Sequence, residues 1–341
     1  MSKSTKALVP LQYLFVYTVP LTAWFALQWV GIWTWSTVFY VFAIIPLLDH
    51  WIPIRNIRHE HTGSEWKFDL LLLPSLFILP WIHWQALNLL QLNAFHWTEI
   101  WGLVLAVGLC NGILGINVAH EMGHRKSGIF KFFAHVLLCI ASYLHFFIEH
   151  NYGHHKKVST PDDAASARFN ENLYAFWWRS IRQSYLSAFK IGQQFVRDGW
   201  LFINPILIYL FVQVSVYFLI YFYFSLNGLL FFLGSSLIGI LLLETVNYIE
   251  HYGLSRSKDL SDRFERVAEE HSWDSDHLLG RLALFELTRH SDHHMDSTRH
   301  FSNLNIRTNS PKMPVGYPGS MLTAFIPSLW FKTRNPLITR K

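Results

Sequence analysis

Histidines fall into four short clusters, and their spacing is the first feature of this sequence that suggests chemistry. Nineteen histidines in 341 residues give about one adjacent pair and one H-x-x-x-H pattern by chance. Two adjacent pairs and three H-x-x-x-H patterns occur. The clusters are HEMGH (120–124), EHNYGHH (149–155), EH (250–251) and HSDHH (290–294). Imidazole is a common metal ligand, so the clusters predict a metal site.

The spacing within the clusters predicts two metal ions. Residues four apart share a helix face, so His120 and His124 would hold one ion, and likewise His150 and His154. An adjacent second histidine, such as His155, points elsewhere and reaches another ion. Nine imidazoles suit two ions with four or five ligands each, and imidazole accepts zinc, copper, iron or nickel. The predicted ligands are His120, His124, His150, His154, His155, His251, His290, His293 and His294.

Carboxylates adjoin the clusters and are natural acceptors for the second ring N–H of a ligand histidine. They are Glu121, Glu149, Glu250 and Asp292. For Glu250, a direct bond to metal stays open. Four polar residues inside apolar segments either hydrogen-bond between helices or orient the ligands. They are Asn111, Asn117, Glu244 and Asn247.

Other interpretations of the histidines compete with a site for two metal ions. HEMGH also matches the zinc metalloprotease helix, in which the glutamate is the general base. That interpretation needs only one further ligand and gives six clustered histidines no role. Outside the clusters, His50, His83 and His96 are expected to be packed or interfacial, and His135 and His145 to line a helix at the membrane surface.

The composition shows what scaffold must hold these clusters. Apolar residues make up 51% and aromatic residues 17%, while charged residues make up 15%, against roughly 25% in soluble domains. The mean hydropathy is +0.21. These values exclude intrinsic disorder, a coiled coil and a disulfide scaffold. The two cysteines form no C-x-x-C pair, which excludes a thiolate metal site. The sequence predicts a polytopic membrane protein.

Six stretches are long and apolar enough to cross the hydrocarbon core, which takes about 20 helical residues. They cover residues 10–31, 34–52, 69–91, 99–119, 201–224 and 227–249. A seventh stretch, 130–148, has basic flanks and is expected to form an interfacial helix. We therefore predict an all-α membrane protein with six transmembrane helices, one domain over residues 1–341, and cytoplasmic helical segments in the region 252–341.

Lysine and arginine lie on one side of the predicted segments. All 28 fall in residues 1–6, 53–67, 125–197 and 256–341. By the positive-inside rule these regions face the cytoplasm, as do both termini. The four histidine clusters lie at the same side and are called the histidine layer. Membrane orientation and anionic lipid account for the net charge of +5, so no nucleic-acid partner is predicted.

With the clusters in place, the sequence closely resembles the integral-membrane non-haem di-iron alkane 1-monooxygenases. The matching stretches are NVAHEMGHRKS (117–127), LHFFIEHNYGHHKKVSTPDDAASAR (144–168), NYIEHYGL (247–254) and LTRHSDHHMDSTRHF (287–301). The segment PVGYPGSMLTAFIPSLWF (314–331) resembles the C-terminal segment of that family. Membrane desaturases share the general histidine pattern, but NYIEHYGL and LTRHSDHH favour the hydroxylases.

The resemblance implies six membrane helices and two iron ions held mainly by histidine. It implies O2 activation and insertion of one oxygen atom at the terminal methyl of a medium- or long-chain n-alkane, in a bacterial cytoplasmic membrane. In that family, electrons come from rubredoxin, which an NAD(P)H-dependent reductase reduces. This chain lacks the four cysteines of a rubredoxin, so that partner is expected to be separate.

Three departures from the family pattern concern substrate length and docking more than chemistry. Residues 53–67 lack the acidic, Asn/Pro-containing loop expected there, and Asp162-Asp163-Ala164 stands where an Asp-Pro pair is usual. The loop before the fifth apolar segment is also shortened.

The difficulty of the reaction favours the same chemistry. A terminal C–H bond is unpolarised, so a metal-based oxidant is needed, and the protein supplies ligands, orientation and dryness. The alkane would enter from the bilayer, and Tyr40, Val41 and Ile44 are candidate channel residues. Alternatives are a related oxygenase or desaturase acting on aryl-methyl, fatty-acyl or carotenoid substrates, an intramembrane zinc protease, and a metal transporter.

Overall fold

The structure, a computed structural model, describes residues 10–52 and 65–338. All regular structure longer than an isolated β-bridge in these two ranges is helical, as predicted. The departure from the family pattern at 53–67 lies mostly outside the described residues.

Thirteen labelled helices follow in chain order. The first six are α1 (Thr18–Trp29, after a 3-10 helix Pro10–Tyr17), α2 (Gly31–Trp51), α3 (Glu65–Asp69), α4 (Ser75–Leu92), α5 (Trp97–Gly123) and α6 (Gly128–Ile140). The others are α7 (146–157), α8 (Leu173–Arg197), α9 (Pro205–His251), α10 (Leu278–Ala283), α11 (His290–Met295), α12 (Tyr317–Ala324) and α13 (Pro327–Arg334). Short 3-10 turns are Glu269–His271, Phe301–Asn303 and Asn335–Leu337.

Helices cover most of each predicted apolar segment. By length and composition, α2, α5 and α9 are able to cross a membrane. A straight helix of the 47 residues of α9 would extend about 70 Å. Instead the chain reverses at Ser225, whose φ is 61° and ψ is −175°. The rings of Tyr217 and Phe232 then pack 6.2 Å apart, so α9 holds two antiparallel helices at the predicted segments 201–224 and 227–249.

Helix α5 forms the centre of the bundle, with 94% of its most apolar 18-residue window buried. Small residues permit this packing. A Cβ at Gly239 on α9 would lie 2.6 Å from the Cβ of Asn111 on α5. Close approach of helix backbones through small residues is a common way to pack helices where lipid removes the hydrophobic driving force.

The prediction of one interfacial helix over 130–148 is wrong in its extent. Helix α6 ends at Ile140, and Ser142 takes a φ of 59° before α7 begins at Phe146. The Tyr143 N–H donates to the Leu138 carbonyl at 2.8 Å, which closes the helix end. A left-handed residue commonly ends a helix, but it is usually glycine. Here a serine occupies that position, so no glycine marks the end of the helix in the sequence.

Candidate metal centre

The nine predicted histidines lie together at the C-terminal ends of α5 and α9 and on α7 and α11, in two groups. The five-histidine group is His120, His124, His150, His155 and His293. The four-histidine group is His154, His251, His290 and His294. Within each group the ligand nitrogens lie within 4.8 Å of one another.

The geometry of both groups fits one metal ion in each. Neighbouring rings meet through Nε2, at distances of 2.9–3.2 Å. Two nitrogens bound at a right angle to one ion, each about 2.1 Å from it, would be about 3.0 Å apart. Nitrogen lone pairs that converge in this way repel one another unless a cation lies between them. The donor set and its spacing therefore fit two ions held by imidazole.

The division of the histidines follows the local helix type. His120 and His124 on α5 belong to one group, as the four-residue spacing predicts. The same prediction is wrong for His150 and His154, because residues Glu149–His154 form a π-helical turn. A π-helix is hydrogen-bonded from residue i to residue i+5, which brings residues five apart closer together, and the Nε2 of His155 lies 2.9 Å from that of His150. His154 instead lies in the other group.

The groups differ in exposure, although all nine rings are at least partly buried. The four-histidine group is buried throughout, whereas His124 and His155 are half-buried. Burial lowers the pKa of His150, His290 and neighbouring rings well below the usual value. Burial and nearby His154 lower the pKa of His293 to about 3. These rings are therefore neutral at pH 7, and the neutral imidazole is the form that binds metal.

Asp163 holds the ring of His154, and sequence reasoning missed this role. The Nδ1 of His154 lies 2.9 Å from one carboxylate oxygen of Asp163 and 3.1 Å from the other. Ser166 Oγ donates to the same carboxylate at 2.6 Å. Burial is the largest single influence and lowers the pKa of His154, but the charge and hydrogen bond of Asp163, together with the charges of Glu149 and Glu244, raise the net pKa above the usual value. The only signal in the sequence was the unusual Asp162-Asp163-Ala164 stretch after the second cluster.

Glu250 lies on the metal side of the four-histidine group. Its Oε2 is 3.2 Å from the Nε2 of His290, the nitrogen that faces the other ligands. Tyr317 Oη donates to the other carboxylate oxygen at 2.8 Å. This position suits a direct ligand better than an acceptor for the outer ring nitrogen.

Glu121 and Asp292 do not take the predicted role of imidazole acceptors, because arginines engage them. Glu121 pairs with Arg125 at 2.9 Å. Asp292 accepts hydrogen bonds from Arg299 at 2.7 Å and from Arg307 Nε at 2.8 Å. Charge-assisted bonds of this kind are stronger than those to neutral rings. Glu121 is thus not placed as the base of a zinc protease.

Glu149, the first residue of the second cluster, is buried and accepts no hydrogen bond from an imidazole among the described residues. A Cβ at Gly153 would lie 2.8 Å from Glu149 Oε1, so a side chain at position 153 would displace this carboxylate. Burial and the nearby charge of Asp163 raise the pKa of Glu149 to about 8. We expect this carboxyl group to exchange a proton near neutral pH.

The four polar residues inside apolar segments were predicted either to hydrogen-bond between helices or to orient the ligands. Asn111 Oδ1 lies 2.8 Å from His83 Nε2, and Tyr143 Oη donates to Glu244 at 2.8 Å, so both residues connect helices. Asn117 is buried, and its Nδ2 has no partner in the described part of the chain. Asn247 is also buried.

An apolar cavity of about 50 Å³ approaches the histidine layer. Val41, a candidate channel residue, lines it. Ile45 lines it in place of the predicted Ile44, and Tyr40 instead donates its hydroxyl to Thr18 at 2.8 Å. Asn117 and Tyr317 are polar residues in its lining. The remaining lining residues are Val19, Gly112, Ile113, Leu242, Leu243, Val246, Gly280, Ala283, Leu284, Leu287, Pro318 and Met321.

His135 lies on α6, whereas His145 lies in the break before α7, so the prediction that both line one helix is wrong for His145. His135 Nε2 lies 2.6 Å from Tyr209 Oη, and His145 Nε2 lies 3.1 Å from Ser184 Oγ. Neither belongs to a metal group.

Comparison with known proteins places this helical, histidine-rich membrane protein in a class. Residues 95–309, which contain all nine histidines, match the fatty acid desaturase family. The chain is 36% identical to alkane 1-monooxygenase of Pseudomonas putida over 332 residues, covering 92% of this chain and 82% of that protein. It is 34% identical to alkane 1-monooxygenase 2 of Alcanivorax borkumensis, covering 90% and 83%. The chain belongs to the alkane 1-monooxygenase family and is an enzyme.

A more distant relative has a different substrate in its name. The hydroxylase component of xylene/toluene monooxygenase of Pseudomonas putida is 26% identical over 247 residues, covering 68% of this chain and 63% of that protein. This chain is less similar to that hydroxylase, at 26% identity, than to the two alkane 1-monooxygenases, at 36% and 34%.

Proposed function

We propose that this protein hydroxylates the terminal methyl group of medium- or long-chain n-alkanes to primary alcohols, with two iron ions as cofactor. The observation that carries the proposal is the convergence of nine Nε2 atoms into groups of five and four. The substrate class is supported by the names of the relatives that cover most of the chain. The nine histidines are the proposed ligands, and Glu250 is an additional ligand of the four-histidine group.

The chain's own residues prepare the site for this chemistry. Iron bound there supplies the oxidising power that side chains lack. Burial favours the neutral form of the ligand rings other than His154, and Asp163 fixes the orientation of His154. Tyr317 holds the Glu250 carboxylate by donating its hydroxyl hydrogen to Oε1. These contacts set the ligand geometry before the substrate arrives, and the closed surroundings exclude water from the reacting carbon.

The apolar cavity is the proposed end of the substrate channel. Asn117 precedes His120 by one helical turn, and Tyr317 contacts Glu250, so the cavity lies beside the histidine layer. An alkane lying past Val41 would point its terminal carbon at that layer. Each methylene in an apolar pocket contributes only about 1–3 kcal/mol, so a broad range of chain lengths is expected.

The proposed setting is a bacterial cytoplasmic membrane that the chain crosses six times. Both termini and the histidine layer would face the cytoplasm, in keeping with the one-sided distribution of Lys and Arg. Electrons would come from a separate rubredoxin, reduced by an NAD(P)H-dependent reductase.

The test uses membranes containing the full chain, with octane, O2, NADH, rubredoxin and its reductase. We expect formation of 1-octanol and about two irons per chain. Replacement of a ligand histidine should lower the iron content and stop formation of the alcohol. Zinc in place of iron, or no alcohol from any alkane, would refute the proposal.

A second candidate is hydroxylation of an aryl methyl group, which the xylene/toluene relative favours. Parallel incubations with xylene and with a fatty acid separate the candidates. Faster conversion of xylene than of octane would favour the aryl-methyl reaction, and a desaturated fatty acid would favour a desaturase.

A further inference from the structure

Helix α8 is an amphipathic helix whose outer face is largely exposed in the described part of the chain. Its inner face packs against α7 and α9 through small residues. These are Ser180, Ser184, Ala188 and Gly192. The helix has 25 residues, of which four are basic and none is acidic. One of the basic residues, Arg179, is bound to Glu171 at 2.6 Å, which leaves three for the outer face.

The outer face of α8 has an aromatic stripe beside a basic one. Tyr174, Trp178, Tyr185 and Phe189 fall within about 60° around the helix axis. At one edge of this stripe, Tyr174 donates its hydroxyl to the Phe325 carbonyl at 2.9 Å and the Tyr185 ring stacks on His145. Trp178 is the most exposed of them, at 76%. The three basic residues form the next sector and are also exposed. They are Arg182, Lys190 and Arg197.

The exposed apolar surface continues from α8 into the next helix. The linker residues Trp200 and Phe202 are 68% and 102% exposed, and Leu201 and Ile203 lie beside them. The linker leads directly into α9 at Pro205, which is long and apolar enough to cross a membrane. Contiguous exposed apolar surface of this kind marks an interaction site.

We propose that α8 lies in the headgroup layer of the membrane and binds anionic phospholipid. The aromatic stripe would enter the outer acyl region, and the basic stripe would bind lipid phosphates. Aromatic side chains favour the membrane interface, and basic residues beside them favour anionic lipid. Continuity with the lipid-facing surface of α9 argues for lipid and against a protein partner. Only the identity of the leaflet rests on the proposed function.

The placement of α8 also bears on the metal centre. Ser184 Oγ contacts His145 at 3.1 Å, and Ile191 lies beside Gly153 in the second cluster. Lipid bound to the outer face therefore supports the wall against which α7 packs. The histidine layer would sit at the depth of the headgroups, within reach of a substrate dissolved in the bilayer.

Spin labels in nanodiscs test the depth of α8. In a Cys110→Ala/Cys139→Ala background, one label is placed at Phe189→Cys and a control label at Leu260→Cys, on an exposed loop. At position 189 we expect collisions with oxygen to exceed those with a water-soluble nickel chelate severalfold, with the reverse at 260. Equal nickel access at both positions would overturn the proposal and show a face open to a protein partner.

A second pair of measurements tests the lipid charge. With phosphatidylglycerol in the disc, the label at 189 should lie deeper than in phosphatidylcholine alone. The Arg182→Gln/Lys190→Gln/Arg197→Gln variant should lose that difference. An equal depth in both lipids would refute the anionic preference.

The unmodified chain provides a check that is independent of variant folding. A photoactivatable phosphatidylglycerol should attach within residues 173–203, and adducts confined to other parts of the chain would overturn the proposal. Alkane hydroxylation is measured separately, so a failure of the lipid site is distinguishable from a failure of the proposed function.

Discussion

Replacing Asp163 by Asn should weaken iron binding at the four-histidine group alone. The carboxylate is fully buried and lies 2.9 and 3.1 Å from His154 Nδ1. An amide nitrogen turned towards that N–H cannot accept its hydrogen, whereas an amide oxygen accepts it without the charge. Supports of this kind contribute 10–100-fold to metal affinity, which is about 1.4–2.8 kcal/mol.

The assay is chelator competition, with iron per chain measured as the chelator concentration rises. The variant should lose about one of two irons at 10–100-fold less chelator than the unmodified protein. Asp162→Asn is a matched control, since Asp162 is the neighbouring residue and is exposed. Superimposable curves for the Asp163 and Asp162 variants would refute the reasoning, because they would show that the His154–Asp163 contact does not support the metal.

Three further predictions test the ligands, the electron donor and the channel. His154→Ala or His293→Ala should abolish or severely reduce turnover, whereas His83→Ala should leave the iron content unchanged; full activity in either ligand variant would contradict the assignment. Reduction of the irons by rubredoxin should slow as salt screens charge over about 8–10 Å, through residues such as the exposed Lys126; a salt-independent, donor-limited rate would indicate apolar docking. Val41→Trp should overfill the channel at a cost of about 1–3 kcal/mol, so hexadecane should lose activity before octane, and an unchanged product ratio in competition would place the channel elsewhere.

The sequence was sufficient to find the nine clustered histidines, because residue type and spacing identify them without knowledge of the fold. It was not sufficient to divide them correctly. The four-residue rule holds for His120 and His124 on an α-helix, but it fails at Glu149–His154, where the helix has a π turn. Nothing in the residue types of that stretch distinguishes a π turn from an α turn.

The surroundings of the histidines were harder to predict than the histidines themselves. Because Asp292 is next to His293 in the sequence, it was predicted to accept a hydrogen bond from a ligand imidazole. In the structure it is bound by Arg299 and Arg307 instead. Asp163 lies nine residues beyond His154 and meets it only because the loop folds back. Long-range contacts of this kind depend on tertiary structure. The helix predicted over 130–148 is shorter in the structure for a local reason, because Ser142 has a left-handed backbone conformation.

Two different openings lie next to the histidine layer, one apolar and one polar. Along α5 the chain passes Asn117, then His120, then His124, and these mark successive levels of the histidine layer. The apolar cavity is lined by Asn117, one turn before His120. A polar pocket of about 630 Å³ opens beside His124, lined by residues that include Lys126 and Arg299. If the proposed function holds, the alkane would approach along the apolar cavity and the electron donor through the polar pocket, where the half-buried His124 would be accessible to a donor protein.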